Sequence, residues 1–252
     1  MGTWTWAVAS SKGASHALEG TRRQDAFVCG VAAMQRSQLI GVLCDGAGSA
    51  AKGGEGASLV ARRISLRARE HFAGSSTGLD DETLRTWIDE ARDAIYFAAE
   101  KRQLKPRDFA TTLLCILSNG IDTTVAHIGD GCAVAKDAES GAWQALTWPA
   151  HGEYASTTFF VTDEQPRLVI QRRNAGISAL VAFTDGLERL ALDFANMTPH
   201  APFFEGVLAP ISQSQANGRD PKLSKQLGRY LDSPAVNART DDDKTLLIAA
   251  LR

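Results

Sequence analysis

Apolar, strand-like runs from distant parts of this chain begin or end at an aspartate that sits beside a glycine or another aspartate. Leu39-Ile40-Gly41-Val42-Leu43-Cys44 precedes Asp45-Gly46-Ala47-Gly48, and Ala179 to Thr184 precedes Asp185-Gly186. Thr124 to Ile128 runs into Gly129-Asp130-Gly131, Thr245 to Ala250 follows Asp241-Asp242-Asp243, and Gln24-Asp25 precedes another apolar run. A strand delivers its last residue to the rim of a sheet, and glycine lets the chain turn there with its backbone exposed. Repetition of this device predicts carboxylates gathered at one sheet edge, the arrangement that hard divalent cations require.

The rest of the pattern sets the architecture. Strands are expected at Trp4–Ser10, 26–32, 38–44, 111–117, 123–128, 132–136, 143–147, 157–162, 168–171, 179–183 and 245–251. Ser118-Asn119-Gly120 reads as a hairpin turn, because Asn-Gly supplies positive φ at little cost. Helices are expected from about Ala57 to Phe72, from an Asp80 or Asp81 N-cap through Ile95, over Leu187 to Phe194, and over Phe203 to Leu231 with a break at Asn217-Gly218. Strands follow one another through short turns while helices come in blocks. That predicts an α+β class, with antiparallel sheets and helices outside, in a single domain spanning residues 1–252.

Composition narrows the function. Hydrophobic residues make up 44% of 252 residues, ample for a core, and the formal charge of −2 leaves no basic surplus for a nucleic-acid scaffold. Arg62-Arg63 and Arg67-Arg69 read as a solvated helix face. Cys29, Cys44, Cys115 and Cys132 each lie in an apolar run without C-x-x-C or zinc-like spacing, so buried reduced thiols are expected. The start, Met1-Gly2-Thr3-Trp4-Thr5-Trp6, lacks a signal-peptide layout, and Trp6 spoils a myristoylation motif. A cytoplasmic, monomeric protein without membrane or nucleic-acid partners is the expectation.

Several chemistries fail on the residues. Lys52 does not precede Ser or Thr as in a P-loop, Ala47 stands where an aspartyl-nucleophile phosphatase places its second acid, and neither an EF-hand loop nor G-x-S-x-G occurs. A carboxylate-rich binuclear centre remains. The ordered set Gln24-Asp25, Asp45-Gly46-x-Gly48, Gly129-Asp130-Gly131, Asp185-Gly186 and Asp242-Asp243-x-Thr245 resembles the metal-dependent type 2C protein phosphatases. The likeness spans about residues 10 to 250. Gly152 to Thr158 further resembles a segment of a compact bacterial branch of that family.

The resemblance implies two antiparallel sheets packed as a sandwich between helices, an α-β-β-α order of four layers. It implies hydrolysis of phosphoserine and phosphothreonine in phosphorylated proteins, made by a cognate serine/threonine kinase, through water activated between two manganese or magnesium ions. Asp45 would bridge the ions with the Gly46 carbonyl on one of them, Asp185 and Asp242 would hold the other, and Asp25 would lie in or just behind the coordination sphere. Asp130 matches a third, weaker ion. Where better-known members carry a phosphate-gripping arginine this chain has Gly20 and Thr21, which leaves His16 and Arg22, beside Arg23, as the phosphate-binding candidates. Ala47 replaces the histidine that some members use as general acid. His127 reads as a core histidine, and His151, after Trp148-Pro149, as only a minor candidate for the edge of the cleft. Residues 152–163 and the helical stretch 199–232 are expected to rim the cleft. A silent phosphoprotein-binding member and a small-molecule phosphoesterase are the competing readings.

Overall fold

A computed structural model describes residues 2–33, 37–74, 79–150 and 158–252. β1 (Trp4–Ser11) is followed by the short α1 (Ala14–Leu18), β2 (Ala26–Val31) and β3 (Leu39–Cys44). α2 (Gly53–Gly74) starts earlier than its apolar periodicity suggests, among glycines of low helix propensity. Close packing explains them: a Cβ on Gly56 would lie 2.0 Å from the Phe109 carbonyl oxygen. α3 (Asp81–Lys101) has Asp80 as its N-cap, whose side chain accepts from the Thr83 N–H at 2.7 Å. β4 (Leu113–Ser118) and β5 (Asp122–Ile128) form the expected hairpin, with Gly120 at φ +93° and Asn119 Oδ1 accepting from the Ile121 and Asp122 N–H groups.

β6 (Cys132–Asp137), β7 (Trp143–Ala145), β8 (Val169–Asn174) and β9 (Ile177–Phe183) continue the series. Two expectations fail here. The described part of 157–162 is not a strand; Asp163 folds it into a turn by accepting the Phe160 N–H at 2.8 Å. The helix expected over 187–194 shrinks to α4 (Glu188–Ala191), because the Asp193 carboxylate takes the Ala195 and Asn196 N–H groups and turns the chain. β10 (Leu192–Asp193) then pairs with β11 (Thr198–Pro199). α5 (Ala201–Gln213), β12 (Gly218–Arg219), α6 (Pro221–Leu231), α7 (Pro234–Asn237) and β13 (Lys244–Leu251) complete the chain.

Among the described residues, one sheet has the order β12-β1-β13-β9-β6-β7 and the other β2-β3-β4-β5-β8. Neighbours are antiparallel except β12, which runs parallel to β1. Alternation along each strand separates three apolar layers. Trp4, Leu43, Leu114, Leu180 and Leu247 fill the space between the sheets. Val42, Ile64, Ile88 and Leu113 pack α2 and α3 onto one outer face, while Val181, Phe204, Leu227 and Ile248 pack α5 and α6 onto the other. The four-layer α-β-β-α sandwich is therefore present. The stretch 199–232 forms its outer helical layer and contributes nothing to the lining of the acidic cleft described below. Its apolar positions are consumed by the sheet beneath.

Candidate functional site

Strand register collects the aspartates at one end of the sandwich. Ala26 pairs with Cys44, so Asp25 and Asp45 meet at one edge of the second sheet. Phe183 pairs with both Leu246 and Cys132, which brings Asp185, the Asp241–Asp243 run and the Gly129–Gly131 loop to the matching edge of the first. That loop is not a hairpin: it carries the chain from β5 in one sheet to β6 in the other, with Gly129 at φ +111°. A cleft of about 540 Å³ opens there, lined by Asp45, Gly46, Asp130, Asp185 and Asp242, with His16, Thr158 and Phe160 among its other walls.

The carboxylates are held without enough donors. Burial is the main cause that pushes Asp45 well above the usual carboxylate range, followed by the charges of Asp25 and Asp185. Burial and the charge of Asp130 push Asp185 up likewise, and burial raises Asp242. Asp25, behind the cleft, is pushed up to about 7 by burial despite hydrogen bonds to its Oδ2 from Thr245 Oγ1 (2.6 Å) and Thr184 Oγ1 (2.9 Å). Asp25 Oδ1 and Asp185 Oδ1 are buried with no hydrogen-bond donor among the described residues. Asp45 lies close enough to both residues for their charges to act on it. Its own backbone is clamped, the N–H donating to Thr112 Oγ1 (2.9 Å) and the carbonyl accepting from the Thr111 hydroxyl (2.9 Å) and the Thr112 N–H (2.8 Å).

Asp243 has the opposite character. It is fully buried and accepts N–H groups from Gly13 (2.7 Å) and Gln24 (2.5 Å), with His16 Nδ1 at 3.0 Å. It ties the start of β13 to the N-terminal end of α1, which carries His16, and to the loop carrying Asp25. The Asp243 N–H in turn donates to Asp242 Oδ1 at 2.7 Å. The roles of Asp243, Thr111, Thr112 and Thr184 are not among those the sequence pattern implies. The signal was available for Asp243, the neighbour of a predicted ligand in an acidic run, but the hydrogen bonds that give it its part are long-range.

The phosphate candidates separate. His16 lines the cleft, whereas Arg22 lies in a neighbouring groove that shares Gly48 and Ser49 with it. Arg23 is occupied by the Ser10 and Asp25 carbonyls, each at 3.2 Å. His151 and residues 152–157 lie outside the described residues. His127 is a buried strand residue away from the cleft lining, as expected. Glycine at 46 answers to packing as well as to access for a ligand, since a Cβ there would lie 2.2 Å from the Gly53 carbonyl carbon. With its amide nitrogen turned toward the two carbonyls, the Gln24 side chain donates to Ala47 O (2.8 Å) and Gly46 O (3.1 Å), which leaves Gly46 a second lone pair.

Can this donor set take metal ions? Among the described residues, no three acidic, histidine or cysteine side chains already surround a common point as ligands do. The chemistry nevertheless fits: oxygen donors only, buried like charges, and carboxylate oxygens lacking a donor are what magnesium or manganese would satisfy.

The comparisons with known proteins agree with this fold. The sequence profile of the family described as Protein phosphatase 2C matches residues 12–232. Serine/threonine-protein phosphatase 3 of Escherichia coli K12 is 38% identical over 253 residues, covering 98% of each chain. In structure, the serine/threonine phosphatase Stp1 from Staphylococcus aureus superposes with a TM-score of 0.65 at 18% identity, over 98% of this chain and 94% of that one. The catalytic domain of the serine/threonine protein phosphatase PstP, in complex with two manganese ions, gives 0.64 at 19% identity, over 100% and 99%. The chain is a serine/threonine protein phosphatase and belongs to the protein phosphatase 2C family.

Proposed function

We propose that the chain hydrolyses phosphoserine and phosphothreonine in proteins at the Asp45 cluster, with manganese or magnesium ions bound there. The observation that carries this reading is the convergence of Asp45, Asp130, Asp185 and Asp242 on one cleft, with Asp25 Oδ1 and Asp185 Oδ1 buried without a hydrogen-bond donor among the described residues. Asp45 and the Gly46 carbonyl would hold one ion, Asp45, Asp185 and Asp242 the other, and Asp130 a third, weaker one. Asp25 would support the first directly or through water. Bound there, divalent cations supply the Lewis acidity that activates water and offsets phosphoryl charge.

The chain's own residues do the positioning. Thr184 and Thr245 occupy Asp25 Oδ2 and leave Oδ1 for a ligand. Thr111 and Thr112 fix the Asp45 backbone, so its carboxylate need not reorganise when substrate arrives. His16 lines the cleft, its Nδ1 3.0 Å from Asp243, where the imidazole can hold a phosphoryl oxygen, while Arg22 stands beyond the Gly48–Ser49 rim in the neighbouring groove. Ala47 offers no acid, so the leaving alkoxide would take its proton from water or from another group in the cleft. With this reading go a monomer acting in the cytosol and a cognate serine/threonine kinase that makes the substrates.

The test is phosphate release from para-nitrophenyl phosphate and from a phosphothreonine peptide, with manganese, magnesium or chelator, beside Asp185→Asn. Metal-dependent hydrolysis of the peptide that the substitution removes is the expected result. Turnover of the small ester alone would point to a small-molecule phosphoesterase. Metal binding by calorimetry without any turnover would make the chain a phosphoprotein-binding module.

A further inference from the structure

A second groove, of about 1060 Å³, lies against the acidic cleft, with Gly48 and Ser49 as their common wall. Its charge is the reverse of the cleft's. Among the described residues its charged lining is Arg22, Arg23, Lys52, Arg62 and Arg102 against Glu55 alone. The whole chain carries −2, so this is a local concentration of positive charge.

Some of these cations are committed. Arg23 is held by two backbone carbonyls. Lys52 (3.3 Å) and Arg102 share the single Glu55 carboxylate, and Arg102 also lies over the Phe109 ring. Arg22 and Arg62 are exposed and have no hydrogen-bond or ion-pair partner among the described residues. They come from different walls, the loop before β2 and the helix α2. Arginines on an exposed helix face are usually just solvated. Here, however, Arg62 shares a concave surface with Arg22, and that surface joins the acidic cleft.

Building on the phosphatase reading above, we infer that this groove docks anionic side chains flanking the phosphorylated residue of the substrate protein. A chain with its phosphoryl group in the cleft crosses Gly48 and Ser49, and at about 3.3 Å per extended residue its next side chains enter the groove. Guanidinium groups grip carboxylate or phosphate there by paired hydrogen bonds. Glu19 and Glu188 line the cleft but not the groove, so an acidic flank is favoured on one side of the phosphosite only. The preferred substrate is therefore an acidic or multiply phosphorylated segment, read in one direction.

The experiment compares phosphothreonine peptides with neutral flanks, three glutamates before the site, three after it, or a neighbouring phosphoserine. Each is assayed on the wild type, Arg62→Glu and the milder Arg62→Gln, with para-nitrophenyl phosphate as the reference. Expected are about a tenfold gain in kcat/KM, carried by KM, for one glutamate placement, its decline in high salt, and its loss in Arg62→Glu while reference turnover is unchanged. A phosphoserine peptide that outperforms the glutamate peptide identifies phosphate as the preferred anion; equality identifies simple negative charge. Equal rates for acidic and neutral peptides, or a preference that survives both substitutions, would overturn the inference. Absence of all turnover would refute the phosphatase reading alone, and fluorescence anisotropy of the same labelled peptides on wild type and Arg62→Glu would then decide docking.

Discussion

The space between the two sheets is filled in two ways by the same strands. Along most of their length β3, β4, β9 and β13 contribute Leu43, Leu114, Leu180 and Leu247, which need nothing but one another. At one end β3, β9 and β13 hand over to Asp45, Asp185, Asp242 and Asp243. The apolar stretch gains stability from every side chain it buries, about 2 kcal/mol for a leucine. The acidic end gives stability up, because burial and mutual charge raise Asp45, Asp185 and Asp25 far above ordinary carboxylates. The difference shows where folding and function divide the sandwich, and that the apolar stretch has to carry the strained end.

The sharpest way to break this contrast is to remove its central charge. Asp45→Asn should lower metal-dependent turnover by at least about 10³-fold, since several kcal/mol of transition-state stabilisation depend on it. In chelator the same variant should melt higher than the wild type, because one repelling charge is gone. Manganese should raise the melting temperature of the wild type and leave that of Asp45→Asn unmoved. The pH dependence follows in sign. Carboxylates raised on folding contribute stability that is complete below about pH 4 and is lost as pH rises through the folded values, near 7 for Asp25. The gap in melting temperature between metal-free variant and wild type should therefore widen from pH 5 to 8. A variant that is less stable than wild type in chelator would defeat the contrast.

Leu247→Ala tests the other half. It should cost about 3–5 kcal/mol in urea unfolding, with or without metal, because a fully buried side chain is replaced by a cavity between rigid sheets. Asp243→Ala should cost less, about 2–4 kcal/mol, by orphaning the Gly13 and Gln24 N–H groups. The direction matters more than the size. Two aspartates from one small cluster should shift metal-free stability oppositely, Asp45→Asn upward and Asp243→Ala downward. Shifts of the same sign would mean that donor supply is not what separates them.

Much of this was legible in the chain. The apolar runs mark every described strand except the two-residue β10, β11 and β12, and the Asp–Gly junctions mark the acidic end before any register is known. What could not be read were the contacts made across the sandwich. Asp243 and Thr184 carry no local mark of their partners, which are 219 and 159 residues away in sequence for the Gln24 and Asp25 bonds. The helices of residues 199–232 look like a rim from their position near the last aspartates, yet their apolar faces are taken by the outer surface of a sheet. Arg62 reads as ordinary solvated helix until the fold curls the Arg22 loop beside it.

His127 lies at the border of the two regions and tests it most finely. Its β5 neighbour Val125 belongs to the layer between the sheets, and strand alternation turns His127 the same way. Burial lowers its pKa to about 4, opposed by a hydrogen bond to the Gly131 backbone, while Nε2 has no hydrogen-bond partner among the described residues. A histidine depressed on folding contributes stability that is present above its unfolded value near 6.5 and is lost as pH falls through 4, because the unfolded chain takes up the proton first. At pH 5 that loss amounts to about 2 kcal/mol. The wild type should therefore weaken relative to His127→Gln between pH 7 and 4.5, a difference in which the titrating aspartates cancel because both proteins contain them. Its direction is opposite to the aspartates' own, so the metal-free protein is pulled from both sides of neutrality: by the carboxylate end as pH rises and by this imidazole as pH falls. Parallel stability curves for the two proteins would show that His127 is already protonated, or already solvated, in the fold, and would move the boundary of the dry layer inward from Gly131.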